Sequence, residues 1–377
     1  MLEKKLDSLL RKSCAEFGLN WALDFSSRRL IKHEAYHEAD LLNIHSNFGR
    51  FFSYLRLPTI TRNKPTILIL HDMWAYTGHC HYSYDCERWK SGCGECPYPD
   101  VYEPIKRDGT ALEWKLKDWA YSHSDLTIVC PSKWIAEQAK HSSLMNRFPI
   151  HYIPYGINCE TFQPLDPEQC RLELGIPLGK KVLMFAAANL NDYRKGSDLL
   201  IKALQSLPES LKAETALLVI GKGGPAIAEA INIPVYDLGY LSDDQRKAVA
   251  YSAADLFLFP TRADVFGLVS IESQACGTPV VSFRVGGVPE HVRSGITGYL
   301  AEPEDAKDFS DGIVQLLEDQ NLHNYMAQQS RTIAVGEFAT EVQVQQYIGL
   351  YQHLLQKDTF PPSDAGKQRQ DASAPLV

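Results

Sequence analysis

The sequence predicts an α/β protein built as two domains, on three observations. Short β-rich apolar runs alternate with helix-patterned segments along nearly the whole chain. The runs read as buried parallel strands flanked by helices. A stretch bearing Pro, Gly and Asn divides them into two sets. The length of 377 residues also exceeds what a single core usually organises.

The first set is LLNIHS (41–46), TILIL (66–70) and LTIVC (126–130). The second is VLMFAAA (182–188), ALLVIG (216–221), LFLFP (256–260) and PVVSF (279–283). Between them lies HYIPYGINCETFQPLD (151–166), which places the boundary near Gly156 and gives domains over 1–156 and 157–338. A helix is predicted over 339–357, and the polar, proline-rich 358–377 is expected to be disordered. A doubly wound domain usually opens with a strand and a glycine-rich turn. Here the first convincing strand begins at Leu41, so that opening unit is either absent or replaced by helix.

Hydrophobic and charged contents of 45% and 22% describe an ordinary soluble globular chain. The net charge of −8 argues against a general nucleic-acid surface. No run approaches the roughly 18 apolar residues of a membrane span, and MLEKKLDSLLRKS lacks a signal-peptide apolar core. The expected location is therefore cytoplasmic, free or at the inner membrane face. Leu2, Leu6, Leu9 and Leu10 stand against Lys4, Lys5, Arg11 and Lys12. That pattern suits either contact with anionic lipid or a surface helix packed on its own domain.

Chemistry in the first half concentrates after TILIL. His71-Asp72 falls at the carboxyl end of a strand, where open α/β sheets bind ligands. His71 there can orient a substrate hydroxyl or phosphate, or simply cap the strand end. Next come Cys80, Cys86, Cys93 and Cys96, the last two a C-x-x-C with Gly94 between them and Gly92 before. Four thiolates so placed match a structural zinc site, with His79 and His81 as substitute ligands. Free thiols or a redox-active pair match equally well. Trp114, Trp119 and Tyr121 follow at helix-like spacing and are expected to face the core. Ser132 reads as a helix N-cap.

In the second half, Asp264 to Glu290 reads DVFGLVSIESQACGTPVVSFRVGGVPE. Phe266, Gly267 and Leu268 fall at a strand-to-helix turn, whose free N–H groups and positive helix end favour an anion. Glu272 lies about one turn further in, within reach of the sugar of a nucleotide resting there. Arg194 and Lys195, before Gly196 and a helix, suit a diphosphate. The Gly221–Gly224 turn and Gly239-Tyr240 let backbone approach a flat base. Each turn alone is equally well an ordinary loop. Together they converge on a nucleotide.

These strings, IPYGIN with its following F-x-P, the RKG turn, the D-x7-E segment with FGL, and ACGTPVV with GGVPE, resemble the family 4 retaining glycosyltransferases. HDMWAYTGHCHYSYDCERWKSGCGECP and PSKWIA are similar, more narrowly, to the branch associated with colanic-acid and other exopolysaccharide synthesis. The resemblance covers residues 40–356. It implies two Rossmann-like domains facing a cleft (GT-B type) and transfer from a nucleotide diphosphate sugar donor to a saccharide or lipid-linked saccharide acceptor. It implies that Glu272 holds the donor ribose, and that the Phe266, Gly267 and Leu268 backbone meets the diphosphate that Arg194 and Lys195 neutralise. Asp264 would touch the donor sugar, and His71 would lie near the transferred sugar from the facing domain. The last helix would cross back to the first domain, and no metal is needed for the chemistry. Two departures bear on transfer: Asp264 stands where the family usually has Glu, and the opening strand with its Gly-Gly turn is missing. A sugar-nucleotide-binding scaffold without catalysis and a nucleotide-sugar epimerase remain the competing readings.

Overall fold

The computed structural model describes residues 2–19, 22–23, 26–45, 53–101 and 104–357. The segment 358–377, expected to be disordered, lies outside them, as do the side chains of residues 2–6 and Arg11 in the basic amphipathic helix.

Two parallel sheets organise the chain. The first holds β1 (Leu42–His45), β2 (Thr66–Ile69), β3 (Thr127–Cys130) and β4 (Ile150–Tyr152), in that order. Ahead of β1, the described residues form helical turns over Leu2–Glu16, Ser26–Lys32 and Glu34–Glu38, so helix stands where an opening strand was looked for. The second sheet holds β5 (Lys181–Asn189), β6 (Thr215–Lys222), β7 (Val235–Asp237), β8 (Leu256–Phe259), β9 (Val280–Phe283) and β10 (Gly298–Ala301). Its order, β10-β9-β8-β5-β6-β7, is the doubly wound arrangement in which the order of strand addition reverses between β5 and β8, all strands staying parallel. That reversal leaves a crevice at the strands' carboxyl ends. It is the place where such sheets bind ligands.

Strand periodicity explains the core. Along β5, Val182, Met184 and Ala186 pack to one face, and Leu183, Phe185 and Ala187 to the other. A sheet covered on both faces shows no polar alternation, and β2, β3, β8 and β9 are accordingly buried throughout. The strands that sequence reading missed, β4, β7 and β10, are all at sheet edges. Each is three or four residues long, and each keeps at least one residue only half-buried, so none presents a continuous apolar run. β4 also takes His151 and Tyr152 from the stretch read as linker.

Of the aromatic trio on the helix Thr110–Ser122, Tyr121 is fully buried but Trp119 is half exposed. Positions 114 and 121 are seven apart and share a face, whereas 119 is turned away from it. Ser132 does cap Lys133–His141, its hydroxyl accepting the Ile135 N–H at 3.2 Å.

Among the described residues, contacts between the two halves include these three. Helix Thr340–Lys357 lies on the first sheet, with Leu350 packed among Ile67, Ile69 and Val129. Val265 sits in the apolar cluster of the first half, with Leu70, Trp74 and Cys130. The Glu290 carboxylate accepts the N–H groups of Lys133 (2.9 Å) and Trp134 (2.8 Å), filling a helix N-terminus of the other half. Among the described residues, no helix is long and apolar enough to cross a membrane.

Candidate active site

The crevice between β5 and β8 is floored by an ion cluster. β5 leads into Tyr193–Lys195, a short turn started by Asp192, whose carboxylate accepts the Arg194 N–H at 2.9 Å. Gly196 ends that turn at φ +71°, and a Cβ there would lie 1.9 Å from the Pro260 carbonyl oxygen, so only glycine brings this turn against the end of β8. Asp264 follows β8 across the crevice. Its Oδ2 accepts from Arg194 Nη1 at 3.1 Å and Lys195 Nζ at 3.0 Å, and Oδ1 accepts the Phe266 N–H at 3.3 Å. Burial alone would raise the Asp264 pKa, but Lys195 and Arg194 outweigh it and hold the carboxyl at about 2. Asp192 Oδ2 also lies 3.9 Å from Arg194, so the two cations are held in place by two carboxylates at the crevice floor.

The Phe266–Leu268 turn stands beside it. Gly267 adopts φ +83°, and a Cβ there would come 2.8 Å from the Phe259 ring, so glycine alone lets the helix Leu268–Ala275 start here. His291 braces the turn from beneath. It is fully buried, its Nε2 donates to the Phe266 carbonyl, and the Ser270 hydroxyl lies 3.3 Å from its Nδ1. Burial holds the imidazole neutral, with a pKa lowered to about 4.

Glu272 accepts from the Tyr251 hydroxyl at 2.9 Å. Burial raises its pKa, and Tyr251 and Lys247 only partly offset this. Lys247 pairs with Asp244 at 2.7 Å and lies within electrostatic range of Glu272 and Tyr240. Gly239 donates to Asp237 at 2.8 Å and its carbonyl accepts the Gly221 N–H at 2.8 Å, tying together the ends of β6 and β7. The Tyr240 side chain is left exposed.

The first half reaches this site at two points. His71, after β2, bonds His45 Nδ1 through its Nε2 at 2.7 Å and the Tyr155 hydroxyl through its Nδ1. Burial, then the neighbouring His45, lowers the His71 pKa and favours the neutral ring. Tyr155 in turn packs edge-on against Phe266, with ring centroids 5.2 Å apart. One residue thus joins His71 to the anion turn. At the second point, the Tyr82 ring lies 4.8 Å from the Arg194 guanidinium carbon, closing a cavity of about 330 Å³ between the cysteine-bearing loop and the Arg194 turn.

The four clustered cysteines line one small pocket. Cys80 and Cys96 are free thiols close enough to influence each other, which draws Cys96 down to about 7 and pushes Cys80 up. Cys93 Sγ accepts the Gly78 N–H at 3.2 Å. Among the described residues no three His, Cys, Asp or Glu side chains are disposed to hold a metal ion, so the ligand set expected from the spacing is not formed in this arrangement.

The structure therefore brings together Arg194, Lys195, Asp264, Phe266, Gly267 and Leu268 at the crevice, links His71 to them through Tyr155, and sets Glu272 and Tyr240 around Lys247. Sequence reading did not single out Tyr82, Tyr155, Lys247, Tyr251 or His291. Tyr155 and His291 lie in or directly beside the strings IPYGIN and GGVPE, and position next to a motif was the available signal. Lys117 was also missed. It is wholly buried and donates to the Trp74 (2.7 Å) and Thr77 (2.9 Å) carbonyls, fixing the turn after His71-Asp72.

Two parallel-sheet α/β units, with a cation-bearing crevice in the second, define the two-domain architecture of GT-B glycosyltransferases. Solved structures agree on the fold. Sucrose-phosphate synthase from Thermosynechococcus elongatus aligns with a TM-score of 0.67 at 22% identity, over 92% of this chain and 80% of that one. Anabaena HepE in complex with UDP-glucose aligns with a TM-score of 0.63 at 18% identity, over 87% and 82%. Residues 5–161 match the family described as Glycosyltransferase Family 4, and residues 168–333 match Glycosyl transferases group 1. Between them these matches take in both halves, each of which is similar to the family 4 (group 1) glycosyltransferases.

Among curated relatives, D-inositol 3-phosphate glycosyltransferase 1 of Catenulispora acidiphila is 36% identical over 185 residues, covering 45% of this chain and 44% of the relative. N-acetyl-alpha-D-glucosaminyl L-malate synthase of Bacillus anthracis is 31% identical over 202 residues, covering 51% of each. The chain thus spans about half the length of the curated relatives it matches. Their names speak of inositol phosphate and malate, and the narrower exopolysaccharide likeness finds no echo in them.

Proposed function

We propose that this protein is a retaining glycosyltransferase that moves a sugar from a nucleoside diphosphate sugar to a saccharide or lipid-linked saccharide acceptor, in the synthesis of a cell-surface or exported glycan. One observation carries the reading: Arg194 and Lys195 meet at the crevice where the strand order of the second sheet reverses, beside the helix start at Gly267. A departing diphosphate needs positive charge and N–H donors already in place, and this floor supplies both without reorganisation. The curated relatives named above are glycosyltransferases, and Anabaena HepE was solved with UDP-glucose, which agrees with a sugar-nucleotide donor.

In this reading the donor diphosphate rests on the Phe266–Leu268 turn, and Glu272 accepts hydroxyls of the ribose. Asp264, with both oxygens engaged, positions the two cations as well as bordering the donor sugar. His71, neutral and hydrogen-bonded to Tyr155, faces the transferred sugar from the first half. Configuration is retained by front-face attack as the diphosphate departs.

A panel of nucleotide sugars screened by thermal shift, followed by product mass analysis with sugar and lipid-linked acceptors, tests the proposal. The expected product is heavier than its acceptor by one sugar residue. Conversion of the donor to its epimer without acceptor, or binding with no turnover across the panel, would replace it.

A further inference from the structure

A groove of about 800 Å³ runs along β1, which pairs only with β2 and has its other edge free of strand partners among the described residues. Its walls include Leu30, Tyr36, Leu42, Ile44 and Ile60. The polar groups of these walls are largely spent on the protein itself. Tyr36 donates to the Ile60 carbonyl at 2.9 Å, Asn43 to the Tyr351 hydroxyl at 2.6 Å, and His33 accepts the Ala35 N–H at 3.2 Å. What faces the groove is mainly hydrocarbon. The open edge of β1 leaves some backbone N–H and C=O groups at one margin, but an apolar chain lying against the side chains would still cover mainly hydrocarbon.

The groove is continuous with the candidate site. β1 runs from Leu42 to His45, so the strand direction carries the groove to the carboxyl end of the sheet, where His45 and His71 complete its lining. His71 is the group that Tyr155 connects to the anion turn. A ligand lying along β1 therefore has one end in an apolar trough and the other at the histidine placed beside the transferred sugar. Four strand residues rise about 13 Å, the reach of an extended chain of roughly ten carbons. The large apolar side chains Leu9, Phe17, Leu23 and Leu30, all ahead of β1, are exposed as well.

We propose that this groove seats the hydrocarbon part of the acceptor: the protein takes an acceptor with an alkyl or isoprenoid chain, which lies along β1 and brings its polar head to His71. The proposal rests on the transferase reading for the role of the head, but the seat itself is tested by binding alone.

The test titrates the full chain with methyl, butyl and octyl β-glucoside, kept below the micelle threshold, by calorimetry, and titrates UDP separately. Affinity is expected to rise by roughly threefold for each added methylene, with methyl glucoside the weakest. Ala35 and Leu30 are exposed groove positions outside the catalytic machinery, so Ala35→Trp, which fills the trough, and Leu30→Gln, which makes it polar, should leave folding intact. Both should weaken octyl glucoside about tenfold or more and leave the UDP titration unchanged. Octyl binding no tighter than methyl, or unaffected by both variants, overturns the seat whatever the nucleotide does. Chain-length-dependent binding with no transfer from any donor keeps the seat and removes the transferase reading. Light scattering that shows a dimer broken by Ala35→Trp, with no glucoside binding, assigns the groove to a second copy and overturns the proposal.

Discussion

Lys195 Nζ lies 3.0 Å from Asp264 Oδ2 across the crevice where the strand order of the second sheet reverses. The contact joins the loop after β5 to the loop after β8, and Arg194 reaches the same oxygen at 3.1 Å. Lys195→Met removes one of two cations while Asp264 keeps the other. Loss of one charge-assisted hydrogen bond should weaken nucleoside diphosphate binding by roughly 10- to 100-fold, measured by calorimetry, with a small fall in melting temperature. Unchanged affinity would detach this cluster from the diphosphate.

His291 predicts an acid sensitivity. Its pKa is lowered to about 4 in the fold, against 6.5 for an unperturbed imidazole. Below the higher value the unfolded chain takes a proton that the native ring refuses, so stability is complete above it and falls as pH drops. The loss should amount to about 3 kcal/mol between those two pH values. Chemical denaturation across that range checks it, with His291→Gln expected to be less stable at neutral pH but flatter in its pH dependence.

Glu290 fastens the second half to a helix N-terminus of the first through Lys133 and Trp134. Glu290→Ala should cost about 1–2 kcal/mol, as loss of a helix cap does. It should also raise the radius of gyration in solution scattering. A variant as compact and stable as the parent would show the clasp to be incidental.

His71 separates binding from transfer. His71→Ala should leave nucleoside diphosphate affinity within a factor of about two, because the proposed site puts the ring on the sugar side, and should lower the transfer rate by roughly 10²-fold or more. Equal losses in both would move His71 to the nucleotide.

What could be read from the sequence depended on how local the signal was. The strands buried on both faces, such as Thr66–Ile69 and Leu256–Phe259, announced themselves as apolar runs. Edge strands such as Val235–Asp237, half wet and three residues long, did not. Arg194, Lys195 and the Phe266–Leu268 turn were legible because each sits at a strand end beside a glycine. Tyr82 and Tyr155 were not, because their roles come from partners far along the chain: Tyr82 meets Arg194, and Tyr155 meets both His71 and Phe266. The cysteine spacing suited a zinc site, free thiols or a redox pair equally, and among the described residues the thiols are free and no three metal-ligating side chains converge. Spacing fixes which side chains can meet, and local hydrogen bonding decides what they do there.

The central claim is that Glu272, held by Tyr251, and the Arg194–Lys195 floor form one nucleotide site. Calorimetric titration of a panel of nucleoside diphosphates into the parent protein and Glu272→Ala tests it most directly. The parent should bind one nucleoside diphosphate selectively, and the variant should bind it at least about tenfold more weakly while melting at nearly the same temperature. Equal binding by the two proteins would contradict the assignment of Glu272, and no binding by the parent would contradict the site.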